Sequence, residues 1–328
     1  MRQMERIVEG IDQIDIPELG LPIRGKVREN WIINHGGSTY RLMATTDRQW
    51  FFTRMICTIP GKGQLSNLIS AYWFNETRDI VPNHLLSIPH PNLMLAKQAV
   101  KRIPIEVVLR RYLAKGSTPT SIYLNYFERG RRTIYGIPFE EGLHPYQEFP
   151  QGTIVTPTTK AENGHDEELD DEQARKRVDQ EFGDGVWEKV KDAALRIFEK
   201  AHDLCLGKGL ILADTKFEFG MDDLGNLMLI DELLTPDCSR YWRLDDYAER
   251  ISRGESPSSD KEIIVDWLKG QGFDGTGLIP HVDLSLRLQL LEAYAVPYQL
   301  ITGSPFAVQE TGAEEIRSAA FECLHQLN

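Results

Sequence analysis

The spacing of apolar residues along the chain predicts a β-rich beginning followed by mixed helices and strands. Residues 20–60 contain short apolar runs on either side of a Gly36-Gly37 turn, as expected for a small β-rich lobe. Residues 61–74 place leucine, isoleucine and aromatic side chains at helical spacing. Residues 179–206 carry an apolar stripe on one face, which predicts an amphipathic helix. This order of elements favours the α+β fold class.

The C-terminal part of the chain continues with helical patterns. A polar stretch, SRGESPSSDK, precedes a helix predicted at residues 262–269, and terminal helices are expected from Asp283 onward around a break at Pro297. We therefore predict three regions, which are a β-rich N-terminal lobe, an α+β body, and C-terminal helices packed on that body (residues 1–105, 106–275 and 276–328).

A β-hairpin is predicted where the chain reads LILADTKFEFGMDDLGNLMLIDE. Residues 210–220 have strand composition, residues 222–226 form a polar turn, and residues 227–230 are apolar again. If Gly220 pairs with Leu227 across this turn, the lysine of the first strand lies opposite the aspartate that follows the second. The two acidic residues of the first strand are then diagonal neighbours within reach of a shared ion.

The first strand of this hairpin separates charged from aromatic side chains. Because alternate residues of a strand share a face, Asp214, Lys216 and Glu218 point one way, and Phe217 and Phe219 point the other. Carboxylates around a lysine suit a magnesium nucleotide, since Mg2+ takes hard oxygen ligands and a lysine can bridge phosphate oxygens. A solvated strand face with no ligand would show the same alternation. The pattern alone leaves both interpretations open.

Composition and charge narrow the class of protein. The 328 residues are 41% apolar, enough for a large core, and the formal net charge of −12 argues against nonspecific binding to nucleic acid or anionic membranes. No apolar run approaches the ~18 residues of a membrane span, and the start, MRQMERIVEG, lacks the apolar stretch of a signal peptide. The four cysteines have no metal-ligand spacing, so we expect reduced thiols and a cytoplasmic location.

Two further segments offer basic residues to an anion. In RGKVR, Gly25 lets the backbone approach a phosphate closely, and Lys26 and Arg28 on one strand face could cover it. Lys160 lies in the polar segment TPTTKAENGHDEELD, which otherwise reads as a flexible acidic loop. Either segment alone is a weak signal.

Several of these strings together resemble the SAICAR synthetase family. LADTKFEFG and IDELLTPDCSR are similar to its signature, and GKVREN, ATTDR, IPGKGQLSNLISAYWF, PIEVVLRRYLAKGS and TPTTKAENGHDEELD follow in the family's order over roughly residues 20–270. These enzymes of purine synthesis use ATP to join L-aspartate to 5-amino-1-(5-phospho-D-ribosyl)imidazole-4-carboxylate (CAIR). The resemblance implies a two-lobed fold, reminiscent of kinases and ATP-grasp enzymes, with the nucleotide between the lobes and the N-terminal lobe binding ATP. It also implies ATP and Mg2+ as cofactors and CAIR and L-aspartate as small-molecule partners, and it leaves a homo-oligomer open.

The resemblance also implies a role for individual residues. It assigns contacts with the phosphates of the nucleotide to Lys26, Arg28 and Lys160. It assigns contacts with the metal and the nucleotide to Glu218 and Asp231. Catalytic roles fall to Lys216 and Asp214. The substrate contacts fall to Arg110, Ser117, Asp237 and Arg240.

Five positions depart from the family's pattern on the substrate side. Trp50 and Thr53 stand where the family has a small hydroxyl residue and a carboxylate, and Lys115 is inserted before a Gly-Ser pair. Ser256 and Val265 stand where the family has a glutamine and an arginine. The residues assigned to ATP and magnesium are unaltered. Three hypotheses follow: the purine ligase, a paralogous ATP-dependent amide ligase with a different carboxylate or amine, and a non-catalytic ATP-binding protein. Trp50 either packs in the core or fills the substrate pocket.

Overall fold

The computed structural model describes residues 9–51, 54–116, 118–160, 166–257 and 261–327 of the chain. Its α-helices are α1 (Lys62–Thr77), α2 (Asp171–Phe182), α3 (Val186–Gly207), α4 (Leu244–Ser252), α5 (Lys261–Gly270), α6 (Leu284–Thr302) and α7 (Ala313–His325). The first nine strands are β1 (Ile23–Arg24), β2 (Arg28–His35), β3 (Ser38–Thr45), β4 (Arg48–Phe51), β5 (Arg54–Thr58), β6 (Leu85–His90), β7 (Leu93–Lys97), β8 (Lys101–Arg102) and β9 (Ile105–Arg110). The others are β10 (Thr133–Ile134), β11 (Ile137–Pro138), β12 (Ile154–Val155), β13 (Thr158–Thr159), β14 (Leu210–Met221), β15 (Leu227–Ile230) and β16 (Ser239–Arg243). The predicted α+β class is confirmed.

The chain forms two compact units. Unit 1 combines Met1–Asn75, His84–Gln98 and Ser258–Asn328, and unit 2 combines Glu76–Asn83 with Ala99–Pro257. The division differs from the three predicted regions, because residues 276–328 group with the N-terminal strands and not with the body. The reason lies in the packing of α7, whose apolar face is buried against the sheet of unit 1.

Unit 1 is built on an antiparallel sheet in the order β1-β2-β3-β7-β6. The predicted turn at Gly36-Gly37 joins β2 to β3, and both glycines have the positive φ that such a turn requires. Trp31 and Leu42 on this sheet pack with Ile316 of α7 in one buried cluster. A second cluster joins β5 to α5 and α6.

The C-terminal helices differ from prediction at one point. α6 runs unbroken from Leu284 to Thr302 and contains Pro297, which was expected to separate two helices. Pro297 is buried, so packing of this stretch offsets the hydrogen bond that proline cannot donate. No helix within the described ranges is both long and apolar enough to cross a membrane.

Unit 2 is organised around the long strand β14. The N-terminal half of β14 pairs with β16 and its C-terminal half with β15, while β9 and β8 lie along the other edge. β12 and β13 both pair with β9 and complete the sheet.

The helix predicted at residues 179–206 is two helices. α2 ends just before Gly183 and α3 begins just after Gly185, and both glycines have positive φ. The carboxylate of Asp179 accepts hydrogen bonds from the backbone of Gly185 and Trp187, at 3.1 and 2.9 Å, and so caps α3 from within α2. The apolar stripe of α3 is buried, as its pattern predicts.

Candidate active site

The C-terminal half of β14 shows the predicted alternation of side chains. Phe217 and Phe219 are fully buried on one face. On the other face, Lys216 Nζ lies 4.0 Å from Glu218 Oε1, and Lys216 remains partly exposed. The aromatic side anchors the strand in the core, and the charged side is available to a ligand.

The pairing of the hairpin is shifted by one residue from the prediction. Gly220 pairs with Met228, not with Leu227, and Glu218 pairs with Ile230. Asp231 follows the end of β15 with a φ of 71°, a left-handed conformation that aspartate tolerates better than most residues. The strand therefore ends before Asp231, so Asp231 is not the cross-strand partner of Lys216 that the predicted register made it.

Two lysines and two glutamates form a compact cluster on β9, on β14 and directly after β13. Lys216 Nζ donates to Glu106 Oε1 at 2.9 Å, and Lys160 Nζ lies 3.7 Å from the same oxygen. Lys160 also donates to Glu218. Both glutamates are buried. The structure thus brings together three residues predicted for the nucleotide site and adds Glu106, to which the sequence assigned no role.

Burial and neighbouring charges shift the pKa values of Lys216 and Glu218 in this cluster. Burial opposes the charge of Lys216, but Glu106, Glu218 and Asp231 outweigh burial and raise its pKa well above the ordinary range. Lys216 is therefore protonated at neutral pH and is not a proton acceptor there. Burial first, and then the charge of Asp231, raise the pKa of Glu218, against the opposing influence of the two lysines.

The pair Glu218 and Asp231 fits a magnesium ion. Within the described ranges there is no group of three or more metal-binding side chains. Mg2+ in nucleotide sites needs only one or two carboxylates, because phosphates and water supply the other ligands. The charge of Asp231 raises the pKa of Glu218, and a shared cation would relieve that repulsion.

Asp214 belongs to a second cluster, with two arginines. It pairs with Arg110 across β9 and with Arg240 across β16. Its carboxylate accepts a hydrogen bond from Arg240 and one from Arg110 at 3.4 Å, and Arg110 Nε donates to Thr156 Oγ1 at 3.0 Å. The prediction that Asp214 and Glu218 share an ion is wrong. Four residues along a strand span about 13 Å, too far for one ion.

The segment between β15 and β16 carries two more residues of the predicted signature. Asp237 is partly buried in the turn just before β16. Burial raises the pKa of the neighbouring Cys238 to about 11, so this thiol stays protonated at neutral pH and is no nucleophile. Ser117, predicted to bind substrate, and Thr53 lie outside the described residues. Lys115, beside Ser117, is exposed.

Lys26 and Arg28 belong to unit 1. Lys26 is exposed in the loop between β1 and β2, and Arg28 is the first residue of β2. Trp50 on β4 is half-buried and donates its indole N–H to the carbonyl of Lys26 at 2.5 Å. Val265 is half-buried on α5.

Glu106 is the residue that sequence reasoning missed. It lies four residues before Arg110 on the same face of β9, and it pairs with Thr158 of β13. The alternation of side chains along β9 predicts that Glu106 and Arg110 share a face. Only the pairing of β9 with β14 shows that Glu106 contacts Lys216.

Comparison with known proteins gives one family. The SAICAR synthetase family model matches residues 21–277. A phosphoribosylaminoimidazole-succinocarboxamide synthase of Legionella pneumophila (strain Lens) is 38% identical over 291 residues, which are 88% of this chain and 89% of that protein. The SAICAR synthase of Saccharomyces cerevisiae, solved as a complex with SAICAR, is similar with a TM-score of 0.76 and 30% identity, over 90% of this chain and 99% of that one. A SAICAR synthetase in complex with ADP has the same fold, with a TM-score of 0.62 and 23% identity over 87% of this chain and 99% of that one.

Proposed function

This chain belongs to the SAICAR synthetase family, and from that membership we infer that it joins L-aspartate to CAIR with ATP, giving SAICAR, ADP and phosphate in purine biosynthesis. The observation that carries the inference is the cluster of Lys160, Lys216, Glu106 and Glu218, which lies within the matched region and has the charges that a magnesium nucleotide needs.

The reaction requires activation of a carboxylate. The CAIR carboxylate is unreactive toward an amine at neutral pH, because its leaving group would be oxide. A carboxylate oxygen therefore attacks the γ-phosphorus of ATP, the bond to ADP breaks, and an acyl phosphate forms. The aspartate amine then attacks the acyl carbon, the carbon–oxygen bond to phosphate breaks, and the nitrogen loses a proton as the amide forms.

The first step needs positive charge at the transferring phosphoryl group. Glu218 and Asp231 would hold Mg2+, which supplies charge neutralisation at the phosphate oxygens. Lys216 is held in place and kept protonated by Glu106, and Lys160 approaches the same glutamates. The two lysines provide fixed positive charge in a partly buried site, where it stabilises developing negative charge more strongly than in water. By the family's pattern, Lys26 in the β1–β2 loop and Arg28 at the start of β2 would contact the phosphates of the nucleotide.

The second cluster suits the anionic substrates. Asp214 holds the guanidinium groups of Arg110 and Arg240 side by side. An arginine fork binds a carboxylate or phosphate with defined geometry, so the pair would orient CAIR or aspartate for in-line attack. Asp214 would then act by positioning these arginines. Asp237 and Ser117 complete the proposed substrate contacts.

The two alternatives are not favoured. Relatives that carry the synthase name align over most of their own length, and the departures at Trp50, Thr53, Lys115 and Val265 leave the proposed ATP residues unaltered. A paralogue with other substrates would be expected to bind ATP without making SAICAR.

Asp231→Asn tests the proposed site. The substitution removes the charge that would complete the magnesium site while preserving side-chain size, so SAICAR formation should be abolished and the far-UV circular dichroism spectrum retained. Asp223→Asn is the matched control, since Asp223 is exposed in the turn of the same hairpin. We expect it to form SAICAR at the parent rate. A parent-like rate in Asp231→Asn would refute the role of Asp231.

A further inference from the structure

The β1–β2 loop (residues 25–27) is held through its own carbonyl groups. Arg48 donates from Nε to the carbonyl of Lys26 at 2.7 Å and from Nη2 to that of Gly25 at 3.0 Å. Trp50 donates its indole N–H to the Lys26 carbonyl. The C=O and N–H of a trans peptide point in opposite directions, and the described residues contain no cis peptide. The N–H groups of these same two peptides, which belong to Lys26 and Val27, therefore point away from Arg48 and Trp50.

The side chain that makes most of these bonds is itself immobilised. Arg48 Nη1 donates to Glu29 Oε1 at 2.6 Å and to the carbonyl of Asp12 at 2.7 Å. The Glu29 side chain is fully buried, and that of Arg48 is only 11% exposed. The last carbonyl of the loop, that of Val27, accepts from the backbone and the hydroxyl of Thr46, at 2.8 and 2.9 Å. Every carbonyl of the loop thus accepts a hydrogen bond from the segment of residues 46–50.

We propose that Arg48 and Trp50 are positioning residues that fix the β1–β2 loop in the conformation that receives the phosphates of ATP. This inference rests on the proposed function, which assigns Lys26 to those phosphates. Carbonyl oxygens facing a phosphate would repel it, whereas amide N–H groups attract it. By holding the carbonyls of Gly25 and Lys26, the two donors keep the amides turned outward and oppose a peptide flip.

Trp50 gains a defined role from this arrangement. Trp50 departs from the family's pattern, and the sequence alone left two interpretations open for it. It could pack in the core or fill the substrate pocket. The half-buried indole contributes an N–H to the loop in addition to its packing. Phenylalanine at this position would keep the aromatic ring and lose only the donor. The two functions of the side chain can therefore be separated by one substitution.

The test measures ATP binding by isothermal titration calorimetry in Trp50→Phe and Arg48→Lys. Because each variant loses a donor to the loop, the Kd for ATP should rise about 3- to 10-fold, as expected for one or two hydrogen bonds. The KM for aspartate should stay near the parent value in both variants, and so should the Tm of Trp50→Phe. Arg48→Lys is expected to lower the Tm, because it disturbs the pair with the buried Glu29. Arg41→Lys is the matched control. Arg41 lies on β3, in the sheet that contains β1 and β2, and it donates to Gln98 at 2.8 Å and not to the loop.

The outcomes separate this inference from the proposed function. A Kd for ATP within twofold of the parent in both variants would overturn the inference. A KM for aspartate that rises by the same factor as the Kd for ATP would also overturn it. If Trp50→Phe also lowers the Tm, the KM for aspartate decides, because a damaged fold raises it and a displaced β1–β2 loop alone does not. A parent that binds ATP without forming SAICAR would contradict the proposed function alone, because the Kd comparison would still decide the inference. A parent that does not bind ATP would contradict both.

Discussion

Lys216 acts as a fixed positive charge because of the residues around it. A lysine in a buried environment tends to lose its proton, yet Glu106, Glu218 and Asp231 raise its pKa above the ordinary range. Glu106 also holds the ammonium group by a hydrogen bond of 2.9 Å. A lysine in this state cannot accept a proton from the aspartate amine, so the contribution to catalysis that we propose for it is electrostatic.

Glu106→Gln tests this account at the level of one residue. Glutamine keeps the size of the side chain and an acceptor oxygen but removes the negative charge that pairs with Lys216, which contributes about 1.5–3 kcal/mol, so kcat should fall about 10- to 100-fold. The pKa of Lys216 should also fall, which would bring the alkaline limb of the pH–rate profile to lower pH. Glu172→Gln on α2 is the control, since it weakens only an exposed ion pair with Arg175. A kcat and a pH profile equal to those of the control would show that Glu106 does not support Lys216.

Side-chain alternation was predictable from the sequence, but ion-pair partners were not. The separation of Lys216 from Phe217 follows from the period of a strand. The partnership of Lys216 with Glu106 depends on the register between β14 and β9, which are about a hundred residues apart in the chain and joined by no turn that could fix it. For the same reason, the two arginine partners of Asp214 emerge only from the pairing of three strands.

At the scale of elements, the observed helices and strands differ from the predicted ones where the register or the bounds depend on backbone conformation and packing. The β14–β15 hairpin was predicted as a hairpin, but its register is shifted by one residue, because the length of the turn sets the pairing. Gly183 and Gly185, both with positive φ, divide one predicted helix into two, and the apolar stripe begins only after them, at Val186. α6 passes through Pro297, where burial overrides the local preference to end a helix.

The packing of α7 on the sheet of unit 1 gives a prediction about stability. Ile316 on α7 is 1% exposed and packs in a cluster with Leu42 and Leu95. Ile316→Ala should lower the free energy of unfolding of unit 1 by about 2–5 kcal/mol, through lost burial and the cavity left behind. Urea unfolding followed by circular dichroism measures this, with Ser318→Ala on the exposed side of the same helix as control. Equal unfolding midpoints for the two variants would contradict the docking of α7.

At the scale of the whole molecule, an acidic protein concentrates positive charge where its anionic substrates would bind. The net charge is −12, yet Lys160 and Lys216 approach a common carboxylate in one cluster, and Arg110 and Arg240 share another. The fold class was predictable from the order of patterns, and the family from its ordered motifs. The assignment of residues 276–328 to unit 1 was not, because it depends on which sheet the terminal helices cover.

The most direct test of the central claim is coupled ADP release by the purified protein with magnesium ATP, CAIR and L-aspartate, leaving out each component in turn. We expect ADP to be released in step with SAICAR and only when all components are present, because phosphoryl transfer and amide formation belong to one reaction. No SAICAR from the complete mixture, with ATP binding intact, would contradict the account and would favour a ligase for a different carboxylate or amine.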